Sequence, residues 1–426
     1  MAEAAKPFAS WALCKRLVDE HYRAAAQANQ EGRPLIWAGV AAPHEILRAM
    51  DVAGIWGETY GAVCGGTQQS ELNEVVDGAG YSRNICGYSR MTIGSMLANK
   101  GPLGPFPRPS AVVCNKHACH AQVKWWEQVA RHYDAPFFVL DVPPVHGDLE
   151  EHHVRYVQGQ LDDLVAFLER HLGRRLDEER LIETWTWGHR LTELWDEVME
   201  YLKARPCPTS FRAIYNFFVP VIALRGVREA LDVYEQLKEE LAERIAAGVS
   251  AVPEERIRLM WEGFPMWHRL DIVRWMEERG VVLVNSSYVM MWAAAHRRFP
   301  NQDLPGSPAG GAQPAVARPT NRDQVLRQMA VHALGVLMSR GLPFQAAYTL
   351  RLLREWRADA IVSNTHRGCK LFALGQVDAQ AAFAHELGIP TLVFEANVTD
   401  PRDYSDAATK NRLEVFFERV LASKRS

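Results

Sequence analysis

Two cysteines occupy equivalent positions in two distant stretches of the chain. Cys119 follows the apolar run 111–114 and precedes a predicted helix, and Cys369 follows the run 360–363 in the same way. The N-terminus of a helix favours a thiolate, because its N–H groups are unpaired and its dipole presents its positive end. Parallel sheets bind their ligands at the carboxyl ends of the strands. Both cysteines are therefore predicted to present thiolates at ligand-binding edges, where they could hold a metal.

A third cysteine, Cys86, lies on a predicted polar helix between the first strands and the Cys119 segment. None of these three cysteines belongs to a CxxC pair, so the sequence indicates neither a zinc ribbon nor a thioredoxin-like redox motif. Three separated cysteines could instead hold three irons of a [4Fe-4S] cluster and leave the fourth iron open. An open iron could act as a Lewis acid toward a carbonyl group.

Each cysteine also has a purely structural explanation, because free cysteine is among the most buried residue types. Cys114 ends a predicted strand and is expected to point into the core. It could alternatively form a zinc site with Cys119, His117 and His120, which lie close to it in the sequence. The zinc interpretation is weaker because it leaves the matching segment at Cys369 unexplained. Core packing is the interpretation for the remaining cysteines, which are Cys14, Cys64 and Cys207.

Other polar residues near these segments could take part in chemistry. Glu58 follows the second predicted strand, where a carboxylate could reach a bound ligand; a capping or surface role fits the sequence equally well. His117, His120 and His366 lie in the cysteine loops and could donate protons, although loop histidines are more often solvated. The chain contains neither a phosphate-binding P-loop motif nor the glycine-rich dinucleotide fingerprint. An ATP-coupled step would therefore need a partner protein.

The composition sets the class of protein. The chain has 426 residues, of which 48% are hydrophobic and 23% charged, with a net charge of −3. These values predict a soluble globular protein of two or three domains, with neither nucleic acid nor a membrane as its main partner. No apolar run approaches the roughly 20 residues that span a bilayer. The N-terminus lacks an apolar signal core, and seven cysteines argue for reduced thiols, so a cytoplasmic location is expected.

Alternating strands and helices predict parallel α/β sheets. Segment 258–287 repeats the order of segment 33–58, namely strand, Trp, Gly, Pro, amphipathic helix, Gly and strand. We predict two related parallel-sheet domains of flavodoxin or Rossmann type with a helical insert between them. The predicted divisions are an N-terminal helix (1–34), a first α/β domain with Cys86 and Cys119 (35–149), a mainly helical segment (150–250) with Asp177 as an N-cap, and a second α/β domain with Cys369 (251–426). Residues 301–320 are predicted to be a flexible loop.

Over nearly the whole chain the sequence resembles the benzoyl-CoA reductase and 2-hydroxyacyl-CoA dehydratase family. The matching segments are NICGYSRMTIG, CHAQVKWWEQVARHYDAPFFVLDVP, RLMWEGFPMWHRLDIVRWMEERGVVLVNSSY, SNTHRGCKLFALGQ and TLVFEANVTDPRDYSDAATKNRLEVFFE, and their order and spacing together are specific. The resemblance implies a [4Fe-4S] cluster held by Cys86, Cys119 and Cys369. It also implies a homologous second subunit, an ATP-hydrolysing iron–sulfur activator and an acyl-CoA thioester bound near the cluster.

Within the family, the KWWE, GFPMW and TDPR segments resemble the larger, beta-type subunit of class I benzoyl-CoA reductase. Residues 39–43, GVAAP, lack the serine that dehydratases usually carry after the first strand, while Glu58 matches the glutamate paired with it. The resemblance therefore implies an ATP-dependent reductase subunit that passes single electrons to the ring of an aromatic acyl-CoA and gives a cyclic diene, with Glu58 in a catalytic role. The alternatives are a 2-hydroxyacyl-CoA dehydratase subunit with a ketyl-radical mechanism and a scaffold subunit with a structural metal site.

Overall fold

The computed structural model describes residues 7–116, 119–292 and 318–425. Its first sheet has four parallel strands in the order β2-β1-β3-β4. Ile36 of β1 lies opposite Gly54 of β2 and Ala111 of β3. The first three strands are short apolar runs that are almost wholly buried, as expected for a parallel sheet covered on both faces. The strands are β1 Leu35–Ala38, β2 Ala53–Trp56, β3 Ala111–Asn115 and β4 Phe137–Leu140.

The second sheet repeats this arrangement. It also has four parallel strands, in the order β6-β5-β7-β8, so the two sheets have the same topology. Ile361 of β7 lies opposite Met260 of β5 and Thr391 of β8. The prediction of two related parallel-sheet domains is confirmed. The strands are β5 Ile257–Glu262, β6 Val281–Ser286, β7 Ala360–His366 and β8 Thr391–Ala396.

The helices up to the end of the first sheet begin with a long N-terminal helix. Gly57 starts its helix directly after β2, and Gly87 and Ala121 begin helices that follow Cys86 and Cys119. The starts of the last two helices hold Cys86 and Cys119 near the carboxyl edge of the sheet. The helices are α1 Ser10–Gln30, α2 His44–Ala49, α3 Gly57–Gly66, α4 Glu71–Gly78, α5 Gly87–Ala98 and α6 Ala121–Tyr133.

Between the two sheets the chain is helical. Asp177 caps the longest of these helices, since its side chain accepts the N–H of Arg180 at 2.9 Å, and the predicted N-cap is confirmed. Such a cap stabilises a helix by about 1 kcal/mol. The helices are α7 Glu151–Leu172, α8 Glu178–Tyr201, α9 Phe211–Phe217, α10 Val219–Ala223 and α11 Glu229–Ala246.

Helices also flank the strands of the second sheet. Lys370 begins a single-turn helix directly after Cys369. The predicted flexible loop 301–320 lies outside the described residues except for its last three positions. The helices are α12 Asp271–Glu277, α13 Ser287–Met290, α14 Arg322–Gly335, α15 Leu342–Glu355, α16 Lys370–Ala373, α17 Gln376–Leu387 and α18 Asp406–Ser423.

One hydrophobic core contains residues of both sheets and of the helical insert. Trp195 of α8 donates its indole N–H to the carbonyl of Val289 in α13 at 3.1 Å, and Trp56 of β2 donates to Ala223 in α10 at 3.1 Å. Both indoles are buried. Truncation of a buried tryptophan costs roughly 3–5 kcal/mol, so the insert binds both sheets firmly. None of the helices in the described ranges is both long and apolar enough to cross a membrane.

Candidate functional site

Cys86, Cys119 and Cys369 line one pocket between the two sheets. Each stands at the start of a helix: Cys86 immediately before α5, Cys119 two residues before α6 and Cys369 immediately before α16. The helix-terminal positions predicted for Cys119 and Cys369 are therefore those in the structure. Cys86 was predicted to lie on a helix, and this detail is wrong. Its backbone is outside the helical region, at φ −51° and ψ 130°, and the helix begins at Gly87.

The three thiols share one electrostatic environment. Burial raises the pKa of Cys86, and the neighbouring Cys369 and Cys119 raise it further. Burial, together with Cys119, raises the pKa of Cys369 to about 12, while backbone N–H groups of α16 oppose this rise. Burial likewise raises the pKa of Cys119, against the N–H groups of Ala121 and Gln122. A bound metal centre would favour the thiolate forms of these cysteines, because it supplies positive charge next to the sulfurs.

The donor chemistry fits a metal cluster better than a single ion. Within the described residues, no group of three His, Cys, Asp or Glu side chains could hold one metal ion. A cluster differs because each cysteine binds a different iron, so its ligands stand further apart. Three thiols that line one pocket from three helix N-termini fit a cluster of this kind.

The remaining wall of the pocket is largely aromatic and apolar. The Phe264 and Tyr288 rings lie 4.9 Å apart, and the indole N–H of Trp267 donates to the Tyr88 hydroxyl at 2.7 Å. A wall of this kind excludes water and strengthens electrostatic interactions inside the pocket. Apart from the cysteines, the lining includes Val40, Glu58, Tyr88, Trp125, Phe264, Tyr288, Met291, Trp292, Met338, His366, Leu371 and Val398.

The pocket lies at the carboxyl edges of both sheets. Val40 follows β1, Glu58 follows β2 and Cys119 follows β3. From the other side, Phe264 follows β5 and Tyr288 follows β6. The site is thus built where ligands bind in open parallel sheets, with each domain contributing one wall.

Glu58 lies in the first turn of α3 and borders the pocket. Its carboxylate accepts the backbone N–H of Val40 at 2.9 Å and a hydrogen bond from the Gln122 amide. Burial raises the Glu58 pKa to about 7, and these two donors oppose the rise. A carboxyl group with that pKa can hold or release a proton near neutral pH, which is the property of a general acid or base.

The two described histidines of the cysteine loops, His120 and His366, lie in different surroundings. His366 ends β7 and is buried, so the expectation of a solvated loop histidine is wrong for it. Its Nε2 lies 2.8 Å from the carbonyl oxygen of Phe264, and burial lowers its pKa to about 4, so the ring is neutral. His120 is exposed and His117 lies outside the described residues.

The other cysteines pack in the interior. Cys114 is fully buried in β3, opposite Val139 of β4, and does not line the pocket. Its predicted place in the core is therefore the one observed. Three further cysteines are buried as predicted: Cys14, Cys64 and Cys207.

The sequence reasoning missed one polar residue of the pocket lining and two that lie beside it. Gln122, which binds Glu58, lies three positions after Cys119, and its place in the first turn of α6 was the available signal. Asn397 Nδ2 and Thr399 Oγ1 are buried and have no hydrogen-bond partner among the described residues, and both side chains crowd Gly87. A Cβ on Gly87 would lie 2.6 Å from Asn397 Oδ1, so glycine is required next to Cys86.

The chain has two related parallel-sheet domains with a pocket between them that is lined by three thiols. This architecture defines the class of protein. Residues 40–420 match the family model described as 2-hydroxyglutaryl-CoA dehydratase, D-component, and the chain belongs to this family. The family predicted from the sequence motifs is thereby confirmed.

The curated relatives include both kinds of enzyme subunit. The chain is 24% identical over 419 residues to the (R)-phenyllactyl-CoA dehydratase alpha subunit of Clostridium sporogenes, covering 94% of this chain and 93% of that protein. It is 26% identical over 408 residues to the (R)-2-hydroxyisocaproyl-CoA dehydratase alpha subunit of Clostridioides difficile, covering 94% of each. It is also 26% identical over 392 residues to a benzoyl-CoA reductase subunit of Thauera aromatica, covering 88% of this chain and 86% of that protein.

Proposed function

We propose that this protein is the cluster-bearing subunit of an ATP-dependent aromatic acyl-CoA reductase of the benzoyl-CoA reductase type. One observation carries the proposal: three cysteines from three helix N-termini meet in one aromatic-lined pocket beside Glu58. The similarity to the benzoyl-CoA reductase subunit of Thauera aromatica supports it.

Cys86, Cys119 and Cys369 would hold a [4Fe-4S] cluster. When bound, such a cluster supplies one-electron transfer at a potential that depends on hydrogen bonds to its sulfurs and on solvent access. The chain sets both of these properties. Backbone N–H groups of α5, α6 and α16 approach the three cysteine sulfurs, and the aromatic wall limits the entry of water.

The proposed reaction adds two electrons and two protons to the ring of an aryl-CoA thioester and gives a cyclic diene. Glu58 would deliver a proton, and its pKa of about 7 and its position in the pocket lining support this role. The electrons would come singly from an ATP-hydrolysing iron–sulfur activator, and a homologous second subunit would complete the enzyme. Relatives that are themselves named as single subunits of dehydratases and of a reductase support a multisubunit assembly.

The residues that line the pocket favour an aromatic acyl group. Phe264, Tyr288 and Trp125 all line it and offer ring faces and edges for stacking against an aryl ring. Beyond β1 the chain has Val40, Ala41 and Ala42 where a dehydratase would carry a serine. The Val40 N–H instead binds Glu58.

Dehydration of a 2-hydroxyacyl-CoA is the second candidate reaction. The family model and the relatives from Clostridium sporogenes and Clostridioides difficile are all named as dehydratases, and this favours it. The two reactions differ in their electron demand. Ring reduction consumes two electrons per product, whereas dehydration needs only a catalytic priming electron. Counting the electrons consumed per product, with an activator and each substrate in turn, therefore distinguishes them.

The cysteine assignment is tested by substitution. Anaerobically purified protein should contain about four irons per chain. Each of Cys86→Ser, Cys119→Ser and Cys369→Ser should lose iron and the visible absorption of the cluster. Cys207→Ser is the matched control, because Cys207 is buried away from the pocket and its thiol contacts the carbonyl of Thr209 at 3.5 Å.

Two results would count against the proposal. Full iron content in a variant with all three cysteines changed would refute their assignment as cluster ligands. Zinc in place of iron would favour the scaffold alternative, in which the metal is structural and a partner protein holds the active site.

A further inference from the structure

One carboxylate joins the two loops that carry Cys86 and Cys369. Asp403 ends the short 3₁₀ turn Pro401–Asp403 that follows β8, and its side chain is only 6% exposed. Its Oδ1 accepts a hydrogen bond from Arg83 at 3.0 Å and another from Arg367 at 3.1 Å. Charge-assisted hydrogen bonds to a nearly buried carboxylate are among the stronger polar contacts in proteins.

The two arginines belong to different domains. Arg83 stands three residues before Cys86, and Arg367 stands two residues before Cys369. Arg367 also binds Glu395 on β8, with a shortest distance of 2.6 Å. Asp403 is therefore a direct bridge between the cysteine loops of the first and second domains.

The same two loops are in close backbone contact. Gly368 has φ +83°, a conformation that favours glycine. A Cβ at this position would lie 2.5 Å from the carbonyl carbon and oxygen of Ile85 and 2.9 Å from the nitrogen of Cys86. The separation of the loops is thus fixed by packing as well as by charge.

A second set of ion pairs secures the turn to the first domain. Arg402 binds Asp400 within the turn and reaches Asp77 of α4 at 2.8 Å. The same Asp77 accepts from Arg90, a buried arginine that also holds the carbonyl of Ser82 at 3.0 Å. These contacts connect the turn that carries Asp403 to α4 and to the loop before Cys86.

The geometry points to Asp403 as a positioning residue that sets the spacing of Cys86 and Cys369 across the domain boundary. The bridge consists only of side chains of this protein, and only its purpose, to preform a cluster site, rests on the proposed function. Asp403 touches neither sulfur, so its effect passes through Arg83 and Arg367.

The spacing can be measured on iron-free protein. A short bismaleimide is added, and the Cys86–Cys369 crosslink is quantified by peptide mass spectrometry. Asp403→Asn should lower the rate of this crosslink by about tenfold, the effect expected when a charge-assisted hydrogen bond is lost. Asp403→Glu should recover part of the rate, and Gly368→Ala should slow it independently.

Asp406→Asn is the matched control. Asp406 lies three positions away and forms ion pairs with Arg269 at 2.6 Å and Lys410 at 2.8 Å, but it contacts neither cysteine loop. It should crosslink like the wild type. After reconstitution, Asp403→Asn should also show an altered electron paramagnetic resonance signal of the reduced cluster, while Asp406→Asn should not.

The possible outcomes separate the two proposals. An unchanged crosslinking rate in Asp403→Asn would overturn the positioning role, as would an equal loss in Asp403→Asn and Asp406→Asn. A slower rate in Asp403→Asn alone supports it. If the wild type binds no iron while this difference in rate persists, the proposed function fails and the positioning role stands.

Discussion

The surroundings of Glu58 suit it to the proton transfer proposed above. It is the side chain of the pocket whose pKa is raised to about 7, and two hydrogen-bond donors fix its direction. Neither donor is an arginine or lysine, so among the described residues no ion pair keeps the carboxyl group ionised. The carboxyl can therefore change protonation state during a reaction without breaking a salt bridge.

Glu58→Gln is expected to abolish most of the activity while leaving the cluster in place. The amide keeps the size of the side chain but cannot exchange a proton. Loss of a general acid lowers turnover by about 100-fold or more. Steady-state turnover with activator and substrate, together with iron content and visible absorption, measures both halves of the prediction.

The control for this prediction is Glu262→Gln, which alters another buried strand-end carboxylate outside the pocket lining. It should retain turnover. Full activity of Glu58→Gln with an intact cluster would refute the catalytic role.

At the scale of the secondary-structure elements, strands β5 and β7 are joined by a buried side-chain hydrogen bond. Glu262 ends β5 opposite Ser363 of β7, whose hydroxyl donates to the carboxyl group at 2.5 Å. Burial raises the Glu262 pKa from 4.5 to about 7, because Ser363 and Gln376 compensate only partly. This carboxyl group lowers the stability of the second sheet when it is ionised.

The stability of the fold should therefore depend on pH through Glu262. Between pH 4.5 and 7 the folded chain keeps this proton and the unfolded chain releases it, so this group's contribution to stability falls as pH rises through that window. Above pH 7 the folded state bears the full cost of burying the ionised Glu262 carboxylate, and Glu262→Gln removes this cost. The stability difference between variant and wild type should shift in favour of the variant by about 3 kcal/mol from pH 4.5 to pH 8.

Thermal denaturation at the two pH values measures this difference. The wild-type midpoint should fall more than that of the variant as pH rises. Parallel changes in both proteins would show that Glu262 does not keep its proton in the fold.

The comparison between sequence and structure is clearest for the strand–cysteine–helix units. Periodicity and the apolar runs located the strands, and the two matching units placed Cys119 and Cys369 correctly. Cys86 was predicted to lie on the polar helix of its segment, whereas that helix starts one residue later, at Gly87. Contacts from distant elements decide that start, since Asn397 and Thr399 pack against Gly87. The burial of His366 was equally hidden, because Phe264 of another loop supplies its partner.

At the scale of the whole molecule, the two sheets pack into one shared hydrophobic core. Residues of both sheets and of the helical insert belong to the same core, and buried indoles tie the insert to each side. Opening the pocket by a hinge between the sheets would expose this core. Substrate exchange is therefore expected to use the movement of side chains and loops at the pocket rim.

Iron removal is predicted to destabilise the whole chain. A cluster that binds the folded state and bridges the two domains adds its binding energy to folding. The iron-free protein should unfold at a lower temperature than the iron-containing protein, by roughly 5 °C or more. Differential scanning calorimetry under anaerobic conditions measures the two midpoints. Equal midpoints would mean that no metal centre connects the domains.

The position of the three cysteines also has a consequence for biosynthesis. Cys86 and Cys119 leave the ribosome early, whereas Cys369 follows β7, a strand that pairs with β5 and β8. The proposed cluster site is therefore complete only after the second sheet has formed. A scaffold protein that delivers a preassembled cluster would have to act on the folded chain, and the pocket between the sheets would have to admit the cluster after folding.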